Sequence, residues 1–136
     1  GGGAMTRRNI SSGSPWEDTV GYSRAVRVGN LIEVAGTTAV DDRGEVVGPN
    51  DPYRQAKYAL EKIGRALAEA GAGFENVIRT RMFVTDISRW EDVGRAHGEV
   101  FRDIRPAATL VQVASLVRSD LLVEIEATAV APEESL

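Results

Sequence analysis

With 136 residues, 43% of them hydrophobic, this chain can bury one core and has no room for a separate substrate domain. Its 16 Lys and Arg against 20 Asp and Glu leave a formal charge of -4, so no overall positive field draws it to nucleic acid or to anionic lipid. The lack of cysteine removes disulfides, thiolate nucleophiles and cysteine-held metals, and a single histidine speaks against a histidine-rich metal site, so no metal ligand is assigned.

No apolar run approaches the roughly 18 residues of a membrane span, and the N-terminus lacks the basic-then-apolar order of a secretory signal, so the cytoplasm is the expected location. Gly1-Gly2-Gly3-Ala4 ahead of Met5 reads as an expression scar, with residues 5–136 forming one domain. A Gly, Ser and Pro-rich lead-in follows, through Ser11 to Pro15. Residues 23–28 and 31–35 then read as two strands joined at Gly29-Asn30, a pair suited to a primed hairpin turn.

Asn50 or Asp51 before Pro52 is a helix entry with proline in the first turn. The apolar positions Tyr53, Ala56, Leu60, Ile63, Leu67 and Ala70 recur at spacings of three and four, one face of a long helix closed by Gly71. Residues 77–85 read as a third strand. Residues 90–104 read as a second helix with Trp90, Val93, Val100 and Ile104 on its buried side, stopped by Pro106. Residues 109–114 and 121–130 are two further strands, and 131–136 a polar tail. The order ββαβαββ describes an α+β fold, one sheet covered on one face by two helices.

Side chains at i and i+2 of a strand share a face. The helix-covered face is therefore predicted to hold Ile32, Val34, Ile78, Met82, Val84, Val111, Val113, Ile125, Ala127 and Ala129. The other face receives Glu33, Ala35, Arg79, Arg81, Phe83, Leu110, Gln112, Glu124 and Glu126. Apolar groups mixed with acids and arginines suit an interface more than a wet surface, because arginine favours interfacial pairs. Copies of the chain are expected to pack these faces together, with Arg79 or Arg81 compensating Glu33, Glu124 or Glu126.

Gly21-Tyr22-Ser23, Val34-Ala35-Gly36, Val84-Thr85-Asp86, Arg105-Pro106-Ala107 and Val123-Glu124-Ile125-Glu126-Ala127 together resemble the RidA/YjgF family of small reactive-imine deaminases. The resemblance covers nearly the whole chain from Met5. It implies a chorismate-mutase-like fold, a homotrimer with a central barrel of sheets, and three intersubunit clefts. It also implies hydrolysis of enamines and imines derived from amino acids, without metal or organic cofactor.

The resemblance implies Glu124 as the catalytic carboxylate, orienting water or relaying a proton. Tyr22 becomes a cleft wall, and Gly36 and Thr109 offer backbone amides. Where deaminating members carry an arginine that clamps the substrate carboxylate, this chain has Ala108. The family serine before the glycine is Ala35, the asparagine of the second helix aligns with Gly94, and the common cysteine with Leu110. Losing a charge-assisted carboxylate contact is worth roughly 1.5 to 3 kcal/mol, or about one to two powers of ten in affinity. The implied partner is thus an imine, an enamine or a related metabolite without a carboxylate at that end.

Arg81 either pairs with Glu33 or Glu126, which is the expectation, or replaces the missing clamp from another direction. His97, beside Val93, Val100 and Phe101, reads as a packed or interface residue. Trp16-Glu17 either closes over the cleft or packs Trp16 on a neighbouring chain. A non-catalytic metabolite-binding or sensor trimer is the alternative to a deaminase. A ribonuclease suits an acidic chain without a histidine pair poorly.

Overall fold

The computed structural model describes residues 6–133. The expression scar and the Met5 start, like the end of the polar tail, lie outside the described residues. A six-stranded sheet runs in the order β1-β2-β3-β6-β4-β5, formed by β1 (Arg7–Ile10), β2 (Ala25–Val28), β3 (Leu31–Thr37), β4 (Val77–Val84), β5 (Ala107–Gln112) and β6 (Val123–Val130). The pairs are antiparallel except β4 with β5. The helices are α1 (Pro15–Val20), α2 (Pro52–Glu69) and α3 (Trp90–Phe101). Among the described residues no helix is long and apolar enough to cross a membrane.

The long helix forms as its spacing dictates. Asp51 caps it by accepting from the Arg54 amide at 3.0 Å, Pro52 fills the first turn, and Gly71 follows its end at φ 82°. Its stripe of Ala56, Leu60, Ile63 and Leu67 is fully buried. Each large side chain there stabilises the fold by roughly 1.5 to 3 kcal/mol. Val93, Ala96 and Phe101 complete the layer from α3, against Ile32, Val34, Met82, Val84, Ile125, Ala127 and Ala129 of the sheet. Arg27, buried on the same face of β2, donates to the carbonyls of Gly29, Ala70, Ala131 and Pro132. It thereby fastens the end of α2 and the chain after β6 to the sheet.

Several expectations are corrected. The lead-in contains a strand and a short helix, because β1 pairs with β2 in place of remaining loop and Ser14 caps α1. Trp90, the first residue of α3, is 52% exposed. The helix ends at Phe101, short of Ile104. Ile78 was expected in the core and is exposed: the β4–β6 register shifts between Val77 and Arg79, and the bulge turns Ile78 outward.

The faces of β5 are exchanged relative to expectation. Ala108 and Leu110 stand beside Thr80 and Met82, both buried under the helices, while Val111 stands beside Phe83 on the open face and is exposed. Leu110 packs against the core. Gln112, also expected on the open face, lies beside Val84, and its side-chain oxygen accepts from the Ile87 amide at 2.9 Å. The open face therefore carries Glu33, Arg79, Arg81, Phe83, Glu124 and Glu126 as expected, with Thr109 and Val111 in place of Leu110 and Gln112.

Candidate functional site

Glu124 is placed by the alternation of β6, whose Val123, Ile125 and Ala127 are buried under the helices. That commits Glu124 and Glu126 to the opposite side. Across from them β3 bulges: Val34 pairs with Ala127 and Thr37 with Ile125, so Ala35 and Gly36 share the space of one residue. A bulge re-aims its neighbours. The Glu124 carboxylate lies directly over the Gly36 α-carbon, where a β-carbon would overlap its Oε2. Gly36 is thus required for close approach.

Arg24, which sequence reasoning overlooked, supports this arrangement from the other side. Its Nη2 donates to the Gly36 carbonyl at 2.6 Å, and its backbone carbonyl accepts from the Ala35 amide at 3.0 Å. Its guanidinium carbon is 5.9 Å from the Tyr22 ring centre, at the limit of a cation–π contact. The spacing was visible in sequence: Tyr22 and Arg24 stand at i and i+2 where a strand begins, the same signal that singled out Glu124 and Glu126.

The electrostatics separate two acids. Burial raises the Glu124 carboxyl above its ordinary value; Arg24 opposes the rise and Glu126 adds to it. Glu17 of α1 is also buried, which raises it, but Ser12 donates to Oε2 through its hydroxyl at 2.5 Å and its amide at 3.1 Å. These bonds prevail and hold Glu17 below the usual range. Glu17 is a structural anion, whereas Glu124 can exchange a proton closer to neutral pH. Lys62 of α2, within electrostatic reach of Arg24, donates to the carbonyls of Thr38 and Val40, both at 2.9 Å. Burial, then Arg24 and Arg65, push its amine down to about 8.

The other expected site residues divide. Tyr22 and Ala35 line an open groove with Arg7, Asn9, Glu33 and Glu126. Arg81 pairs with Glu126 at 3.6 Å, the expected pairing, and Arg79 donates to the Thr109 hydroxyl at 2.6 Å. Ala108 and Leu110 lie on the helix side of the edge strand β5, away from Glu124. Gly94 is on α3, one turn from His97, whose Nε2 is 2.8 Å from the Thr80 hydroxyl and whose ring lies against Phe101. His97 is therefore a packed residue, and burial lowers its pKa. Trp16 stays 65% exposed on α1. One chain thus brings Tyr22, Ala35, Gly36 and Glu124 around Arg24, whereas Ala108 and Leu110 face the helix side of the sheet and Gly94 lies on α3. Among the described residues no cluster of three or more His, Asp or Glu could hold a metal ion.

Comparison with known proteins agrees with this architecture. The family described as Endoribonuclease L-PSP matches residues 14–131. A Mycobacterium tuberculosis protein, described as a member of the YjgF/YER057c/UK114 family, superposes with a TM-score of 0.84 at 48% identity, covering 93% of this chain and all of its own. An uncharacterised protein of Streptomyces coelicolor is 44% identical over 90% of both chains. The Mus musculus 2-iminobutanoate/2-iminopropanoate deaminase is 35% identical over 80% of each.

Proposed function

This chain belongs to the endoribonuclease L-PSP family, the RidA/YjgF proteins, and on that premise we propose that it is a hydrolytic enamine and imine deaminase of divergent substrate range. It acts in the cytoplasm as a homotrimer, in clefts between subunits. The observation that carries the reading is the Glu124 carboxylate, half-buried over Gly36 with its pKa raised. In such a site a carboxylate accepts a proton from water as the water attacks the imine carbon. It then returns that proton to the nitrogen to give a carbinolamine; as the carbon–nitrogen bond breaks, the carboxylate takes the remaining hydroxyl proton and passes it to the nitrogen, so that ammonia leaves and a carbonyl remains. An enamine is first protonated at carbon to give the imine. No step calls for a metal or an organic cofactor.

The two separated surfaces favour assembly. Tyr22, Ala35, Gly36 and Glu124 of one subunit form one wall of the cleft; Gly94, Ala108 and Leu110 of a neighbour, with the backbone amide of Thr109, form the other, with Arg81 at the rim. Exposed Leu31, Val111 and Val130 on the charged face supply apolar area for the contact. Ala108 and Leu110 make the neighbour's wall apolar, which disfavours a substrate carboxylate at that end. The test is Glu124→Gln, assayed for ammonia release from a panel of freshly generated imines and for assembly by sedimentation. Release should disappear with the trimer intact; undiminished release would refute the role of Glu124, and a monomer at micromolar concentration would refute the cleft.

A second reading rests on Ala108, which stands where deaminating relatives carry the clamp. In it the trimer binds a metabolite without turning it over. It expects no ammonia from any imine, together with saturable thermal stabilisation by a metabolite.

A further inference from the structure

We propose that Arg24 is the positioning residue for Glu124, holding the carboxylate in place and in its charged form from the opposite side of Gly36. The proposal deepens the reading of Glu124 as the working carboxylate and rests on it. The geometry runs through one residue: Arg24 Nη2 binds the Gly36 carbonyl at 2.6 Å, and the Glu124 carboxylate covers the α-carbon of that glycine. Movement of Arg24 therefore moves the floor under Glu124.

Two buried guanidinium groups of this protein show how a structural arginine differs from this one. Arg27 donates to four backbone carbonyls, which accounts for its place in the core. Arg24 Nε is buried with no hydrogen-bond partner among the described residues, an unsatisfied donor that a purely structural arginine avoids. What Arg24 has in compensation is charge: it faces Glu124 of β6, Glu17 of α1 and Tyr22. Lys62 of α2 is the cation nearby, and Glu126 is the other acid that acts on Glu124. In this set Arg24 opposes both burial and Glu126, which together favour the neutral acid. An arginine suits the task because it stays protonated through any pH at which Glu124 titrates.

The experiment follows the Glu124 side-chain carboxyl carbon by NMR during a pH titration of the wild type and of Arg24→Met. The midpoint should rise by about one unit or more in the variant, a tenfold change in the ionised-to-neutral ratio. The acid limb of the pH profile for ammonia release should move with it. In the wild type, the Arg24 Nε–H resonance should inflect at the Glu124 midpoint and lose that inflection in Glu124→Gln, a measurement independent of how Arg24→Met folds. An unchanged Glu124 midpoint in Arg24→Met, or a wild-type Nε–H resonance without the inflection, overturns the proposal. Coupled titration without turnover sustains it while removing the deaminase reading. Turnover that needs Glu124 without coupled titration does the reverse.

Discussion

Gly36→Ala isolates the position of Glu124 from its identity. An alanine β-carbon would overlap Glu124 Oε2 and stand 3.0 Å from the carboxyl carbon and 3.3 Å from Cγ. Heavy atoms settle at roughly 3.5 Å or more, so the carboxylate must retreat by about 1 Å. The neighbour in the way is the far end of a flexible side chain, and Gly36 is not among the glycines with positive φ. Alanine meets no backbone strain there and gains about 0.4 to 1 kcal/mol from the unfolded chain, which offsets part of an overpacking cost of roughly 1 to 3 kcal/mol. Stability should consequently fall by no more than about 2.6 kcal/mol, read by urea denaturation. Catalysis is less forgiving: a misplacement of about 1 Å costs on the order of 100-fold, or about 2.7 kcal/mol of transition-state stabilisation. Ammonia release at constant pH should fall accordingly while the protein stays folded. Wild-type kcat/KM in a folded Gly36→Ala protein would refute the claim that this contact sets the working position of the carboxylate.

Other substitutions test the frame around the site. Arg27→Met should cost about 3 kcal/mol in urea denaturation, because the carbonyls of Ala70 and Ala131 lose their donor in the interior; a loss below about 1 kcal/mol would show that water replaces the guanidinium. Ile125→Ala, wholly buried, should cost about 3 kcal/mol, whereas Ile78→Ala, with its side chain turned outward by the bulge, should change chain stability by under about 0.5 kcal/mol. Equal costs at the two positions would contradict the bulge. His97 is held below its ordinary value of 6.5 by burial, so between the two values the unfolded chain binds more protons and stability rises with pH. That contribution is complete above 6.5 and is lost as pH falls through the native value; His97→Gln should flatten the acid side of a plot of Tm against pH, and an unaltered slope would refute the assignment.

The arrangement of elements was legible wherever a local repeat carried it. Six of the positions spaced along α2 declared its buried face, and the alternation of β6 declared that Glu124 and Glu126 oppose Ile125 and Ala127. Both patterns follow from backbone periods that hold for any helix or strand. Together with the Pro-Ala turn and the glycine of the bulge they also carried the family, since these short segments stand in the order its fold requires. The overlooked β1 and α1 flank residues 11–15, whose Gly, Ser and Pro content resembles loop. Pairing with β2 and the capping of α1 by Ser14 form them in spite of that content.

Alternation within a strand says which residues share a side and never which side that is. For β5 both sets, Ala108 with Leu110 and Thr109 with Val111, mix apolar with small residues, so only its parallel register against Thr80 and Met82 decided the matter. Bulges exert the same control, because one extra residue reverses every side chain on one flank: Ile78 left the core this way and Gly36 came under Glu124. Charges depend still more on tertiary structure, for Arg24, just ahead of β2, and Glu124 of β6 are a hundred residues apart in sequence and come near each other only because β3 pairs with both strands. The linear chain determined which groups were available and how each was aimed relative to its own neighbours; folding decided which carboxylate would be half-buried, on which glycine it would rest and which cation would stand beside it.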